Sequence, residues 1–155
     1  MVTAANDLII EHYRHHPQQK KDLATYYQEL VGEQFWPYHE VEASLKKSST
    51  SLWYAHDNLK WLGFLLAESF YEQSELYYLY VTPDARGLGI GAKLLNHWLS
   101  VLATQNIKSA FLEVRKSNRP AQALYERCGF VFAGKRPNYY RDGEDAFIYE
   151  RSPSC

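Results

Sequence analysis

Hydrophobic residues along this chain follow two spacings, the two-residue period of strands and the 3.6-residue period of helices. The spacing predicts a short first strand at residues 8–13. It then predicts a helix that Asp22 caps and Gly32 ends, since a short acidic side chain favours a helix start and glycine favours a helix end. A second short helix follows, with Val41 and Leu45 on one face.

The rest of the chain alternates between strand and helix patterns in the same way. The further predicted elements are a β-hairpin at 51–70 that turns at Asp57-Asn58, a strand at 109–115, a helix from an Asn118 cap to Gly129, and a strand pair at 130–134 and 146–150. Strands and helices are thus interleaved, which favours a mixed α/β fold.

The most informative stretch lies between residues 76 and 102. An apolar run at 76–81 is followed by a proline and then by glycines at positions 87, 89 and 91, after which helical spacing runs from Ile90 to Leu102. This order predicts a strand, a glycine-rich turn and a helix. Glycines leave the first helical amides open to close approach, and those amides attract phosphate groups. Arg86, just before the glycines, adds a positive charge.

Two common phosphate-binding motifs do not fit this turn. A P-loop requires Lys followed by Ser or Thr, whereas Lys93 is followed by Leu94. A dinucleotide fingerprint requires the spacing G-x-G-x-x-G, and the glycines here are spaced G-x-G-x-G. Neither of these two motifs therefore describes the glycine-rich turn.

Composition narrows the class of protein further. With 155 residues and a net charge of −1, the chain is expected to form one domain that does not bind nucleic acid. We read neither a signal peptide nor a membrane-spanning segment, so no membrane partner is expected. Two cysteines, Cys128 and Cys155, predict a reducing, cytoplasmic location. The six histidines lack metal-ligand spacing, so no metal is expected.

The turn and the second half of the chain resemble one family. Residues 86–91 (RGLGIG) resemble the R/Q-x-x-G-x-G/A coenzyme A signature of the GCN5-related N-acetyltransferases (GNAT). Residues 112–130 (LEVRKSNRPAQALYERCGF) are similar to the family pattern L-x-V-x-x-x-N-x-x-A-x-x-L-Y-x-x-x-G-F. Three further segments resemble a narrower branch, the bacterial enzymes that acetylate the N-terminal alanine of a ribosomal protein. These segments are Phe35-Trp36-Pro37, the group Arg136, Asn138, Tyr139 and Tyr140, and Glu144-Asp145-Ala146.

The resemblance implies a fold and a cosubstrate. The fold would be a single GNAT domain over residues 1–155, with a central, mostly antiparallel sheet that contains one splayed parallel strand pair and is flanked by helices. The cosubstrate would be acetyl-CoA, bound without a metal. The residues implied in binding it are Leu79, Tyr80, Val81, Arg86, Gly87, Leu88, Gly89, Ile90, Gly91, Ala92, Asn118 and Tyr125.

Acetyl transfer to an amine also needs a proton acceptor and a proton donor. Glu113, in an otherwise apolar strand, is the predicted base; the alternative is an exposed strand charge paired with Arg115. Glu75 is a rival base that also helps to bind the substrate. Tyr125 is the predicted acid, unless it is a core tyrosine.

The acceptor is the least determined part of the prediction. Tyr139 and Tyr140 are expected to line the amine pocket, and Glu144 and Asp145 to attract a cationic N-terminus. The preferred acceptor is the N-terminal α-amine of a protein or peptide, attacked directly in a ternary complex. The alternatives are a small amine, such as a polyamine, amino acid or aminoglycoside, or a non-catalytic acetyl-CoA-binding module. The protein is expected to be a monomer or a homodimer.

Overall fold

A computed structural model describes residues 7–32 and 36–154. Phe35 of the predicted aromatic loop and Cys155 lie outside the described residues. The helices and strands are β1 (Ile9–His12), α1 (Pro17–Tyr26), a π-helix (Tyr27–Val31), α2 (Tyr38–Leu45), β2 (Thr50–His56), β3 (Trp61–Phe70), β4 (Gln73–Val81), a 3₁₀ turn (Pro83–Ala85), α3 (Ile90–Thr104), β5 (Ser109–Arg115), α4 (Arg119–Arg127), β6 (Val131–Arg136) and β7 (Ala146–Arg151).

The seven strands form one sheet in the order β1-β2-β3-β4-β5-β7-β6. β4 and β5 are parallel, with residues 73–76 paired to residues 109–112. β1 with β2, β5 with β7, and β6 with β7 are antiparallel. The predicted mixed α/β architecture, with a mostly antiparallel sheet and one parallel pair, is therefore confirmed.

The chain divides into two compact units. The first contains residues 1–67 and 78–94, and the second contains residues 68–77 and 95–155. The assignment of the whole chain to one GNAT domain stays a prediction.

In the first unit, the first helix starts earlier than the sequence pattern indicated. α1 begins at Pro17, because proline is well tolerated at a position whose N–H has no helical partner. The Gln19 side chain accepts a hydrogen bond from the Arg14 amide at 2.7 Å and so fixes the start of the helix. The prediction that Asp22 is the cap is wrong, since Asp22 lies inside α1 and accepts a hydrogen bond from Gln18 at 2.8 Å.

The end of this helical region contains a π-helix that the sequence did not predict. The Tyr80 hydroxyl donates to the Leu30 carbonyl at 2.9 Å, and Tyr26 and Thr82 share a hydrogen bond of 2.6 Å. These bonds join the helical segment to β4 and to the residue that follows it. Gly32 ends the segment with φ = 69°, as predicted.

In the second unit, one face of β5 is buried and the other is partly open. Ala110, Leu112 and Val114 are buried, whereas Glu113 and its neighbours on the same face are half-buried. α4 buries Gln122 and Tyr125. Gln122 is buried because its amide donates to two carbonyls at the end of β5, at 3.0 and 2.8 Å.

The start of α4 allows a test of the predicted cap. Asn118 Oδ1 accepts from the Ala121 amide at 3.2 Å, which satisfies one of the orphan N–H groups. We expect Asn118→Ala to lower the free energy of unfolding by about 1 kcal/mol in urea titrations, because the cap is lost. Asn118→Asp retains the acceptor and is expected to unfold like the wild type. Equal loss in both variants would contradict the capping role.

Candidate active site

In the first unit, the glycine turn (residues 86–92) has a backbone that only glycine adopts without strain. Gly87 and Gly89 both have φ = +82°, in the left-handed region. A Cβ added at either position would meet no heavy atom within 4 Å. The space around these two residues is therefore open to a ligand.

The backbone amides of this turn are available. Among the residues that the structure describes, the N–H groups from Gly87 to Ala92 donate to no protein acceptor, and the first bond into α3 runs from Lys93 N to Gly89 O at 3.1 Å. Such orphan amides at a helix start carry the positive end of the helix dipole. The turn can therefore hold an anionic group such as a pyrophosphate.

Arg86 is held beside these amides. Its Nε donates to the Val81 carbonyl at 2.9 Å, and its guanidinium lies 5.6 Å from the centre of the Tyr80 ring. Within the described part of the chain Arg86 forms no ion pair with a carboxylate, and it is exposed. The Arg86 charge is thus available to an anionic ligand.

In the second unit, four side chains form what we call the carboxylate cluster: Glu75, Glu113, Arg136 and Tyr139. Arg136 Nε donates to Glu113 Oε1 at 2.9 Å, and Glu113 lies close enough to the Tyr139 hydroxyl to raise its pKa. The Glu113 side chain is 14% exposed and the Arg136 side chain 53%, so only the carboxylate end of this ion pair is shielded from solvent. The predicted alternative partner of Glu113, Arg115, is instead bound elsewhere.

Glu75 lies on β4, opposite Phe111 in the parallel ladder and therefore on the same face as Glu113. Burial raises the pKa of Glu75, the negative charge of Glu113 raises it further, and Arg136 partly opposes both. Among the described side chains, none donates a hydrogen bond to the Glu75 carboxylate. Glu75 is thus the less stabilised anion of the two.

Arg115 organises the loop between β6 and β7. Its guanidinium binds Asp142 and Glu144, each at 2.9 Å, and lies 4.0 Å from the centre of the Tyr140 ring. Glu144 also accepts from the Ser117 amide at 2.8 Å, and these hydrogen bonds lower its pKa.

Asp145 likewise accepts from the Asn138 amide at 2.9 Å. Glu144 and Asp145 therefore stabilise the loop. Their predicted attraction of a cationic N-terminus stays a prediction that no contact here supports. The same loop presents Tyr139 and Tyr140, whose rings meet edge to face with centres 5.2 Å apart.

Tyr125, on α4, is buried in the second unit. Its ring contacts Phe130 edge to face, with centres 6.1 Å apart. Burial raises the pKa of Tyr125 to about 12, and Tyr140 adds to the effect. The hydroxyl therefore stays protonated at neutral pH and acts as a donor.

The profile of the acetyltransferase (GNAT) family matches residues 10–130, which include the glycine turn and all of α4. The chain belongs to this family. The predicted family is thereby confirmed.

Two sequence relatives of this GNAT chain show how far the similarity extends. The [ribosomal protein bS18]-alanine N-acetyltransferase of Escherichia coli strain K12 is 39% identical over 94 residues, which are 59% of this chain and 64% of the relative. The 5-NmdU N-acetyltransferase of Pseudomonas phage PaMx11 is 40% identical over 63 residues, which are 41% of this chain and 43% of the relative. The GNAT chain thus matches less than two thirds of either relative's length.

A solved structure extends the comparison to nearly the whole GNAT chain. The ribosomal-protein-S18-alanine N-acetyltransferase from Escherichia coli superposes with a TM-score of 0.79 at 28% identity, covering 95% of this chain and 96% of that one. The predicted fold family therefore holds outside the matched segment as well.

The roles of the predicted site residues stay predictions, and the structure adds one residue to their surroundings. Arg136 was noted only as part of the R-x-N-Y-Y pattern, although it forms the ion pair with Glu113. Arg136 lies on β6, which is separated from the Glu113 strand β5 only by β7. Once this strand order is known, a basic residue on β6 can be predicted to pair with Glu113.

Two further findings concern ligands and membranes. The described residues contain no group of three or more His, Cys, Asp or Glu side chains arranged to hold a metal ion. Over the same residues, no helix has the length and apolar character that crossing a membrane requires.

Proposed function

We propose that this protein transfers the acetyl group of acetyl-CoA to a primary amine, the N-terminal α-amine of a protein. The observation that carries the proposal is the glycine turn, whose unpaired amides and adjacent Arg86 match the needs of a pyrophosphate in a chain of the GNAT family.

For acetyl-CoA, the pyrophosphate binds the backbone of the glycine turn. The pantetheine arm adds to the main chain at Leu79, Tyr80 and Val81, as an extended ligand adds to a strand edge. Asn118, which already caps α4, supplies a further polar contact to the arm.

For the transfer itself, the amine must be neutral, and the departing sulfur needs a hydrogen-bond donor. One of the carboxylates Glu113 and Glu75 accepts the proton of the amine. Tyr125 donates to the sulfur, because its raised pKa keeps the hydroxyl protonated. An α-amine, with an ordinary pKa of about 8, demands less of this base than a lysine amine at about 10.4.

Similarity to the ribosomal-protein enzyme supports a protein N-terminus as the acceptor. The aromatic rings of Tyr139 and Tyr140 offer a wall against which the first side chain of a peptide packs. A ribosomal-protein acceptor also implies a cytoplasmic location. The second candidate is a small amine; the similarity to a phage 5-NmdU N-acetyltransferase shows that a relative with another acceptor than a ribosomal protein matches this chain.

A peptide library separates these two functions. The protein is incubated with acetyl-CoA and peptides that differ in their first residue, and mass spectrometry records which peptides gain an acetyl group. We expect acetylation of the α-amine in peptides that start with Ala or Ser. A parallel panel holds spermidine, free amino acids and aminoglycosides. Acetylation confined to that panel supports the second candidate, and thermal stabilisation by acetyl-CoA without any transfer supports a non-catalytic module.

A further inference from the structure

Arg136 links two elements of the second unit to Glu113. It is the last residue of β6, and its Nε donates to Glu113 Oε1 on β5 at 2.9 Å. Tyr139, in the loop after β6, has its pKa raised by the neighbouring Glu113, and the Arg136 guanidinium lies 6.0 Å from the centre of the Tyr139 ring. The Glu113 carboxylate thus has the Arg136 guanidinium fixed beside it.

Glu75 has a different environment on the same face of the sheet. It is half-buried and receives no hydrogen bond from any described side chain, while the Glu113 charge is close enough to repel its own. A carboxylate that is partly desolvated and faces a like charge gains more from protonation than one that is paired with a guanidinium. The two carboxylates therefore lie in different electrostatic environments, as in catalytic pairs whose members have different tasks.

We propose that Arg136 is a positioning residue that gives the two carboxylates different tasks: it holds Glu113 as a fixed anion, and Glu75 takes the proton of the acceptor ammonium group. This inference deepens the proposed function and rests on it.

The proton and electron balance follows directly. The ammonium nitrogen gives one proton to the Glu75 carboxylate, and its lone pair then forms the N–C bond to the acetyl carbonyl. The C–S bond breaks with its electron pair on sulfur. The nitrogen releases its second proton to solvent, and the departing thiolate, stabilised by the hydrogen bond that Tyr125 donates, takes one proton from solvent. Glu75 returns its proton to solvent, which its partial exposure allows.

The charges around Glu75 make the role of Arg136 measurable. The titratable groups that act on it from the packed elements are Glu68 on β3, Tyr77 on β4, Glu113 on β5, Arg136 on β6 and Tyr139 in the following loop. Among these, Glu113 raises the pKa of Glu75 and Arg136 lowers it. Removing the Glu113 charge is therefore expected to lower the pKa of Glu75, and removing the Arg136 charge to raise it. A purely structural role of Arg136 does not predict these opposite shifts.

The first test is the pH profile of kcat/KM with acetyl-CoA and an alanine-initiated hexapeptide. We expect Glu75→Gln to lower kcat about 100-fold or more and to remove the acidic limb. Glu113→Gln is expected to move that limb to lower pH and Arg136→Gln to higher pH, with Arg136→Lys closer to the wild type. Glu72→Gln is the control, since Glu72 is exposed and pairs with Lys108 at 3.4 Å on the surface. Loss of the limb in Glu113→Gln and its retention in Glu75→Gln would overturn the inference.

The second test does not depend on turnover. Side-chain carboxyl NMR of the protein without substrates follows the titration of Glu75, and we expect the same opposite shifts in Glu113→Gln and Arg136→Gln. An unmoved Glu75 titration in both variants overturns the inference. If the wild type acetylates no acceptor of any kind, the proposed function fails and the proton role fails with it. If the wild type acetylates the peptide and the limb belongs to Glu113, only this inference fails.

Discussion

Tyr125→Phe is expected to lower kcat about 100-fold or more while acetyl-CoA affinity changes less than about twofold. The hydroxyl of Tyr125 remains protonated because burial raises its pKa to about 12, so its role is to donate to the sulfur as charge develops there. The substitution removes only that donor and keeps the ring that contacts Phe130. Single-turnover kinetics and calorimetry with acetyl-CoA measure the two quantities.

Tyr149→Phe is the matched control for this experiment. Tyr149 is a buried tyrosine of the same unit, and its hydroxyl donates to Glu126 at 3.0 Å. Its loss is expected to cost about 1 kcal/mol of stability and to leave the chemical step unchanged. Full turnover in Tyr125→Phe, or an equal loss in both variants, would contradict the role of Tyr125 as the donor.

Gly89→Val is expected to weaken acetyl-CoA binding about 100-fold or more. A β-branched residue at φ = +82° strains the turn by about 1–3 kcal/mol, and its side chain enters the open space where the pyrophosphate is proposed to lie. Both effects act on the amides that would hold the phosphate oxygens. Isothermal calorimetry with acetyl-CoA measures the change.

Gly143→Val separates backbone strain from loss of the binding space. Gly143 has φ = +89° and equally open surroundings, but it lies in the loop between β6 and β7. It is expected to lose similar stability and to bind acetyl-CoA with nearly the wild-type affinity. Normal binding in Gly89→Val, with the protein folded, would remove the glycine turn from the cosubstrate site.

Local sequence signals predicted most of the elements because each depends on neighbours in the chain. β5 has the predicted bounds, and the cap at Asn118 and the ends at Gly32 and Gly129 follow from side-chain and backbone preferences of single residues. The predicted start of α1 was wrong because Asp22 and Pro17 are both residues that favour a helix start. The helix begins at Pro17, which comes first in the chain.

The π-helix was not predictable from the sequence. Its five residues keep the spacing of an ordinary α-helix. The feature that the sequence does not show is the hydrogen bond that the Tyr80 hydroxyl, on β4, donates to the Leu30 carbonyl. Tyr80 is 50 residues away in the chain. No local pattern records that bond.

The sequence by itself determined the family, the strand, turn and helix around the glycines, and the identity of the candidate acid and bases. These depend on motif spacing and on residue type, which the chain order contains. Only the tertiary structure decided that Glu113 pairs with Arg136 while Arg115 binds Asp142 and Glu144, and that Glu75 remains the less stabilised carboxylate. Ion pairing and desolvation depend on distances across β5, β7 and β6, and the order in which strands pair is a property of the folded sheet.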